Sequence, residues 1–163
     1  MEKDYQLRGE TNLQAQQTNY TCGPTALSYA LHEQGIEMSE MELTKMMGTT
    51  PQMGTDQKEM VRAVCTLGLS NVLYEDSDCL ELMARKKALG CSIIFDYLAG
   101  PNLETDGHYI VFEGLSEKYI KILDPSDGKY KAIGRAKFIR RWVDQTWDGQ
   151  ISKNWALVIK KNL

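Results

Sequence analysis

Near residue 90 this chain changes its hydrophobic period, and that change constrains the fold more than any other feature. Upstream, apolar residues recur at helical spacing; downstream, they fall in short β-branched and aromatic runs. Pro24 sits where an opening helical turn tolerates a residue without an N–H, and Leu27, Ala30, Leu31 and Gln34 follow on one face up to Gly35. Ser39 is placed to cap a second helix carrying Met41, Leu43, Met46 and Met47. Thr55 or Asp56 caps a third, with Met60, Val61, Val64 and Leu67 inward and Gly68 as its stop. A fourth is expected from Asp78 to Leu89, ahead of Gly90. Then "CSIIFDY", "HYIVFEGL", "YIKIL" and "NWALVIK" read as strands between turn-forming residues, with one more helix expected from Gly134 to Val143. "YIVF" is apolar on both faces, which predicts a central strand covered on both sides. Helices first, then a largely antiparallel sheet, make an α+β chain. No repeat or linker-like shift in composition divides it, so residues 1–163 are expected to form a single domain.

A formal net charge of -3 argues against nucleic acid as the main partner, because phosphate neutralisation needs a clustered excess of Lys and Arg. The basic stretch "KFIRRW" reads as a solvated helix face. The opening "MEKDYQLRGE" is polar and extended, unlike a secretory signal or membrane anchor, and no window holds the ~18 apolar residues of a membrane span. The four cysteines, Cys22, Cys65, Cys79 and Cys91, form no C-x-x-C pair, and reduced thiols in a cytoplasm are expected. Zinc lacks a ligand set with two histidines and no close cysteine pair. "DPSDGKYKAIGR" begins like a calcium loop but ends on Arg135, where a bidentate glutamate is required. With no phosphate-binding glycine pattern either, neither metal nor cofactor is expected.

The chemistry-bearing stretch is "QQTNYTCGPTAL". Free cysteine is usually a small core residue, and Cys65 (on an apolar helix face), Cys79 and Cys91 need no other account. Cys22 differs because Gly23-Pro24 opens a helix beside it. Unpaired N–H groups there favour an anionic sulfur and an oxyanion formed when that sulfur attacks a carbonyl. Of the two histidines, His32 lies down the same helix, roughly 15 Å away at ~1.5 Å per residue, and reads as a helix-end residue. His108 follows Gly107 at the start of an apolar strand and is the candidate base. If the following hairpin turns about Ser116, Asp124 lies directly opposite His108, with Cβ atoms ~5 Å apart. An aspartate there can fix the tautomer of an imidazole and stabilise its charged form.

Taken together, "QQTNYTCGPTAL", "GTD...VRAVCTLGL", "GHYIVFEGL" and "ILDPSDG" resemble the papain-like cysteine peptidases of the bacteriocin-processing, double-glycine-leader type, from about Gln16 to Gly128. The resemblance implies a papain-like fold, with a helical half carrying the cysteine and a sheet carrying the other two residues. It implies Cys22 as nucleophile, His108 as base and acid, and Asp124 as the residue orienting the imidazole. It also implies a glutamine six residues before the cysteine as an oxyanion donor, which is Gln16; Gln17 lies one position off. Transporter-linked members are fused to membrane and ATPase domains, whereas this chain ends at Leu163 and looks more like the freestanding relatives.

The function expected is hydrolysis of peptide bonds through a thioester, with a peptide or flexible protein segment as substrate. Two rivals use the same residues: an acyltransferase or peptide cyclase, in which an amine replaces water, and a peptide-binding module without chemistry. The loop from Ala99 to Gly107 is placed to flank the cleft; Trp142, Trp147 and Trp155 are expected to pack the sheet, the alternative for one of them being to line the cleft near the histidine.

Overall fold

The computed structural model describes residues 13–162; the polar stretch up to residue 12 lies outside the described residues. Three helices come first, α1 (Cys22–Glu33), α2 (Glu40–Met47) and α3 (Gln57–Thr66), followed by strand β1 (Ser70–Tyr74) and helix α4 (Leu80–Ala88). Strands β2 (Ser92–Leu98), β3 (Gly107–Leu115), β4 (Tyr119–Asp124) and β5 (Lys129–Gly134) follow. Then come α5 (Arg135–Arg141), β6 (Val143–Gln145), β7 (Ile151–Lys153) and β8 (Ala156–Lys160).

Six strands form one sheet in the order β1-β8-β2-β3-β4-β5, and every neighbouring pair in it is antiparallel. β6 and β7 make a separate small hairpin. The "YIVF" run of β3 is buried throughout, as expected for a strand apolar on both faces, and all seven residues of β2 beside it are buried too. Alternate residues of β2 and β3 serve two cores. Ile94, Tyr109 and Val111 join α1, α2 and α3, whereas Phe95, Ile110 and Phe112 join α4 and α5. In the second core the Phe95 ring lies 5.1 Å from Phe112 and 4.7 Å from Trp142, so truncating Phe95 would cost about 3–5 kcal/mol.

Helix α2 has a full capping box: the Ser39 hydroxyl accepts from the Glu42 N–H, and Glu42 reaches back to the Ser39 N–H. Several details depart from the sequence reading. Met41 is 64% exposed instead of inward, because α2 turns Leu43 and Met47 fully into the core, with Met46 packed partly against it, and leaves Met41 on the other side. Cys65 is likewise exposed, on the outer side of α3. Strands β1, β5, β6 and β7 escape the periodicity argument. β1 and β5 are edge strands with mixed burial, and β6 and β7 have three residues each, so neither alternation nor apolar runs develop. The stretch that failed as a calcium loop is the β4–β5 turn and the strand after it.

Candidate active site

The site lies where the start of α1 meets the ends of β3 and β4. Cys22 is the first residue of α1 itself, one position inside the helix relative to the sequence reading. The N-cap residue, Thr21, makes no side-chain bond to the helix; its hydroxyl pairs with that of Thr18 at 2.8 Å. The leading N–H groups of α1, those of Cys22 and Gly23, thus have no intrahelical partner and keep their anion-stabilising character. Pro24 has no N–H to add, and the Thr25 N–H is the first to bond back, to Thr21 O at 3.1 Å. Gly23 is required by packing: a Cβ there would lie 2.5 Å from Thr55 Oγ1.

His108 Nε2 lies 2.7 Å from Asp124 Oδ1. The Cys22 sulfur is near enough to the ring to favour its charged form as well. With Nε2 engaged by the carboxylate, Nδ1 is left to face the sulfur. The expected direct opposition of His108 and Asp124 is corrected by the register. The turn is wider than one centred on Ser116, pairing Leu115 with Ile120 and Gly114 with Lys121. Carried straight on, that register would set Asp124 opposite Val111 and point it away from His108. A β-bulge between Phe112 and Gly114 absorbs one residue, so Phe112 pairs with Ile122 and Val111 with Leu123. Asp124 then falls opposite Ile110, on the same face as His108 and diagonal to it, still within reach. The bulge restores the parity on which the contact depends.

Electrostatics follow from these contacts. Burial disfavours a charged His108, but its hydrogen bond to Asp124 and the nearness of Cys22 outweigh this and raise the imidazole to about 9. Burial likewise disfavours the Asp124 carboxylate. His108, Lys131 and the Ser126 N–H overcome this and hold it well below the ordinary carboxylate range. Lys131 Nζ donates to Asp124 Oδ2 at 2.7 Å, and Ser126 N donates to Oδ1 at 2.9 Å. Sequence reasoning missed Lys131, whose signal is its place on β5 opposite Ile122.

Gln16 and Gln17 separate cleanly. The Gln16 backbone N–H donates to Pro125 O at 2.8 Å, tying the residue beside the end of β4. Its side-chain amide donates to Thr18 O at 2.6 Å and is partly buried. The amide nitrogen carries two protons, and this bond uses one of them. Gln17 is exposed, and its backbone N–H turns to the Glu40 carboxylate. His32 sits at the exposed end of α1 against Glu37, as its distance along the helix requires.

Cys22 opens onto a cavity of about 610 Å³ between the α2–α3 loop, the loop before β3 and the β6–β7 hairpin. Glu104, Thr105 and Gly107 line it from the Ala99–Gly107 loop. Of the three tryptophans, Trp142 and Trp155 are buried, and Trp147 lines the cavity with its indole N–H on Met53 O at 2.8 Å. Two cleft carboxylates, Asp96 and Asp144, were not singled out from the sequence. Asp96 was hidden inside an apolar strand, and Asp144 lies on a strand too short to leave a pattern.

The model of the peptidase C39 family matches residues 10–146. The chain belongs to the peptidase C39 family. It is therefore a cysteine peptidase by family, with a papain-like fold of helices and antiparallel sheet. An uncharacterized protein of Methanothermobacter marburgensis is 26% identical over 125 residues, covering 76% of this chain and 78% of its own. Among solved structures, the peptidase domain of Streptococcus ComA, a bifunctional ABC transporter of a quorum-sensing pathway, superposes with a TM-score of 0.72. It is 22% identical, covering 92% of this chain and 98% of that one. A putative C39-like peptidase from Bacillus anthracis gives 0.71 at 16% identity, with 93% and 96% covered. The double-glycine-motif protease of an AMS/PCAT transporter, solved with its leader peptide, gives 0.64 at 18% identity, with 95% and 96% covered. Among the described residues no helix is long and apolar enough to cross a membrane.

Proposed function

We propose that this C39-family peptidase hydrolyses a peptide or flexible protein segment through a thioester on Cys22. The observation that carries the reading is the relay from Cys22 to His108 to Asp124 at the mouth of α1. The cysteine sulfur attacks the scissile carbonyl carbon, and the electron pair of that carbonyl moves onto oxygen. The resulting oxyanion accepts hydrogen bonds from the Cys22 N–H and the free proton of the Gln16 amide. On collapse, His108 gives its proton to the departing amine, leaving the acyl group on sulfur. Neutral His108 then takes a proton from water, which attacks the thioester and releases acid and thiol. Asp124 keeps Nδ1 aimed at sulfur throughout and stabilises the charged ring. A peptide substrate is supported by the relative solved with a leader peptide.

The test is alkylation by a small neutral electrophile, followed by intact mass, on wild type and His108→Ala. Cys22 should be modified first in the wild type and lose its lead in the variant. Equal modification of Cys22 and the exposed Cys65 in the folded wild type would remove the case for a dedicated nucleophile. Product masses then separate hydrolysis, which adds one water, from transfer to an amine, which does not.

A further inference from the structure

Beside the nucleophile lies a second group of polar side chains that the reaction above leaves unused. Asp96, on β2, is 2% exposed, and Gln57 Nε2 donates to its Oδ2 at 2.7 Å. Its other oxygen, Oδ1, is buried and meets no hydrogen-bond donor among the described residues. The group facing Asp96 is the Asp144 carboxylate, from β6. Two carboxylates make such a contact only with a proton or a cation between them. The arrangement is held firmly. Gly107 leaves room for Asp144, since any Cβ there would collide with both of its carboxylate oxygens, and the Gln145 N–H donates to Asp144 Oδ1 at 2.8 Å.

The surroundings favour a cation. Asp56, Asp96, Glu104 and Asp144 line the same cavity as Cys22, and no lysine, arginine or histidine is among the described residues that line it. A metal ion is poorly served: no group of three or more His, Cys, Asp or Glu among the described residues suits one. Gln57 also turns an N–H, not its oxygen, toward the pair. A monovalent organic cation needs only the two carboxylates and fits a cavity this size.

Resting on the peptidase reading, we propose that Asp96 and Asp144 form a subsite for the cationic side chain of a lysine or arginine in the bound peptide. Asp144, the more exposed of the two, makes the direct contact, and Asp96 stands behind it. Burial, Asp144 and the nearby Cys22 push Asp96 upward against the Gln57 hydrogen bond, which favours a shared proton on the pair when no cation is bound. The arriving ammonium or guanidinium takes the place of that proton, which leaves to solvent. A proton held there at rest also spares Cys22 a second negative neighbour until the substrate brings its own positive charge.

The test uses matched peptidyl acyloxymethyl ketones carrying lysine or its neutral isostere norleucine at each position flanking the electrophile. Cys22 labelling rates are read by intact mass. At one position lysine should exceed norleucine by about tenfold to a hundredfold, the range of one or two charge-assisted hydrogen bonds. In Asp144→Asn that ratio should fall close to one. A ratio near one at every position in the wild type, or a ratio that survives Asp144→Asn, overturns the subsite. So does side-chain indifference combined with capture of free butylamine in the product, which would assign the pair to an incoming amine. Calorimetric binding of the lysine and norleucine peptide amides to Cys22→Ala reads the same ratio without chemistry. A lysine preference there with no labelling of Cys22 in the wild type would sink the peptidase mechanism and keep the subsite; the reverse pattern would do the opposite.

Discussion

Replacing Asp124 by Asn keeps the shape of the side chain and removes its charge, and the structure sets the size of the consequence. Asp124 accepts from His108 and Lys131 at 2.7 Å each and from the Ser126 N–H at 2.9 Å. His108 stands at about 9, against an ordinary value near 6.5. At ~1.36 kcal/mol per pK unit, the gap corresponds to about 3 kcal/mol of preference for the imidazolium, shared between Asp124 and Cys22. In Asp124→Asn the largest favourable contribution is gone, while burial and the Lys131 charge still oppose the imidazolium and Cys22 still favours it, so His108 should titrate well below its wild-type value. The chain has only two histidines, His32 and His108, so labelled-histidine NMR resolves both, with His32→Gln for assignment. The stability consequence has a defined window. A raised histidine stabilises fully below its unfolded value and loses this as pH rises through about 9; the depressed Asp124 contributes above ~3.9 and loses it on acidification. The melting difference between wild type and variant should therefore be widest from about pH 4 to 6.5 and should narrow above about 9, where the His108 part is lost and only the Asp124 contacts with Lys131 and Ser126 remain. A His108 midpoint that is the same in both proteins would refute the reasoning.

The remaining predictions concern the oxyanion donor and the bulge. Gln16→Ala should lower kcat by roughly a hundredfold to a thousandfold with little change in KM, because its amide proton meets an oxygen that becomes charged only in the transition state; steady-state kinetics on one peptide decides. Burial and the neighbouring Glu33 raise Glu113, at the bulge, to about 8. An acid raised on folding binds its proton more tightly in the native state, so it lowers stability as pH climbs from ~4.3 toward about 8. Glu113→Gln should flatten the melting temperature across that interval in a thermal-shift series.

The amino-acid sequence by itself determined the kinds of element and the kinds of chemistry. Proline and glycine punctuation, capping residues and hydrophobic period act within a few positions, so α1 to α5, β2, β3, β4 and β8 could be read, as could a cysteine at a helix mouth and a histidine entering a strand. Met41 and Cys65 were misjudged because helical spacing tells which residues share a face, not which face finds a partner. Tertiary structure alone decided how the strands meet. Whether Asp124 turns toward His108 depends on a wide turn and one bulged residue, since a single slip in register sends a side chain through the sheet. The pairing of Asp96 with Asp144 is likewise invisible along the chain: one sits in an apolar strand and the other in a hairpin, brought together only by folding. Local preference is written in neighbouring residues, whereas the facing of distant side chains is settled only when the register closes.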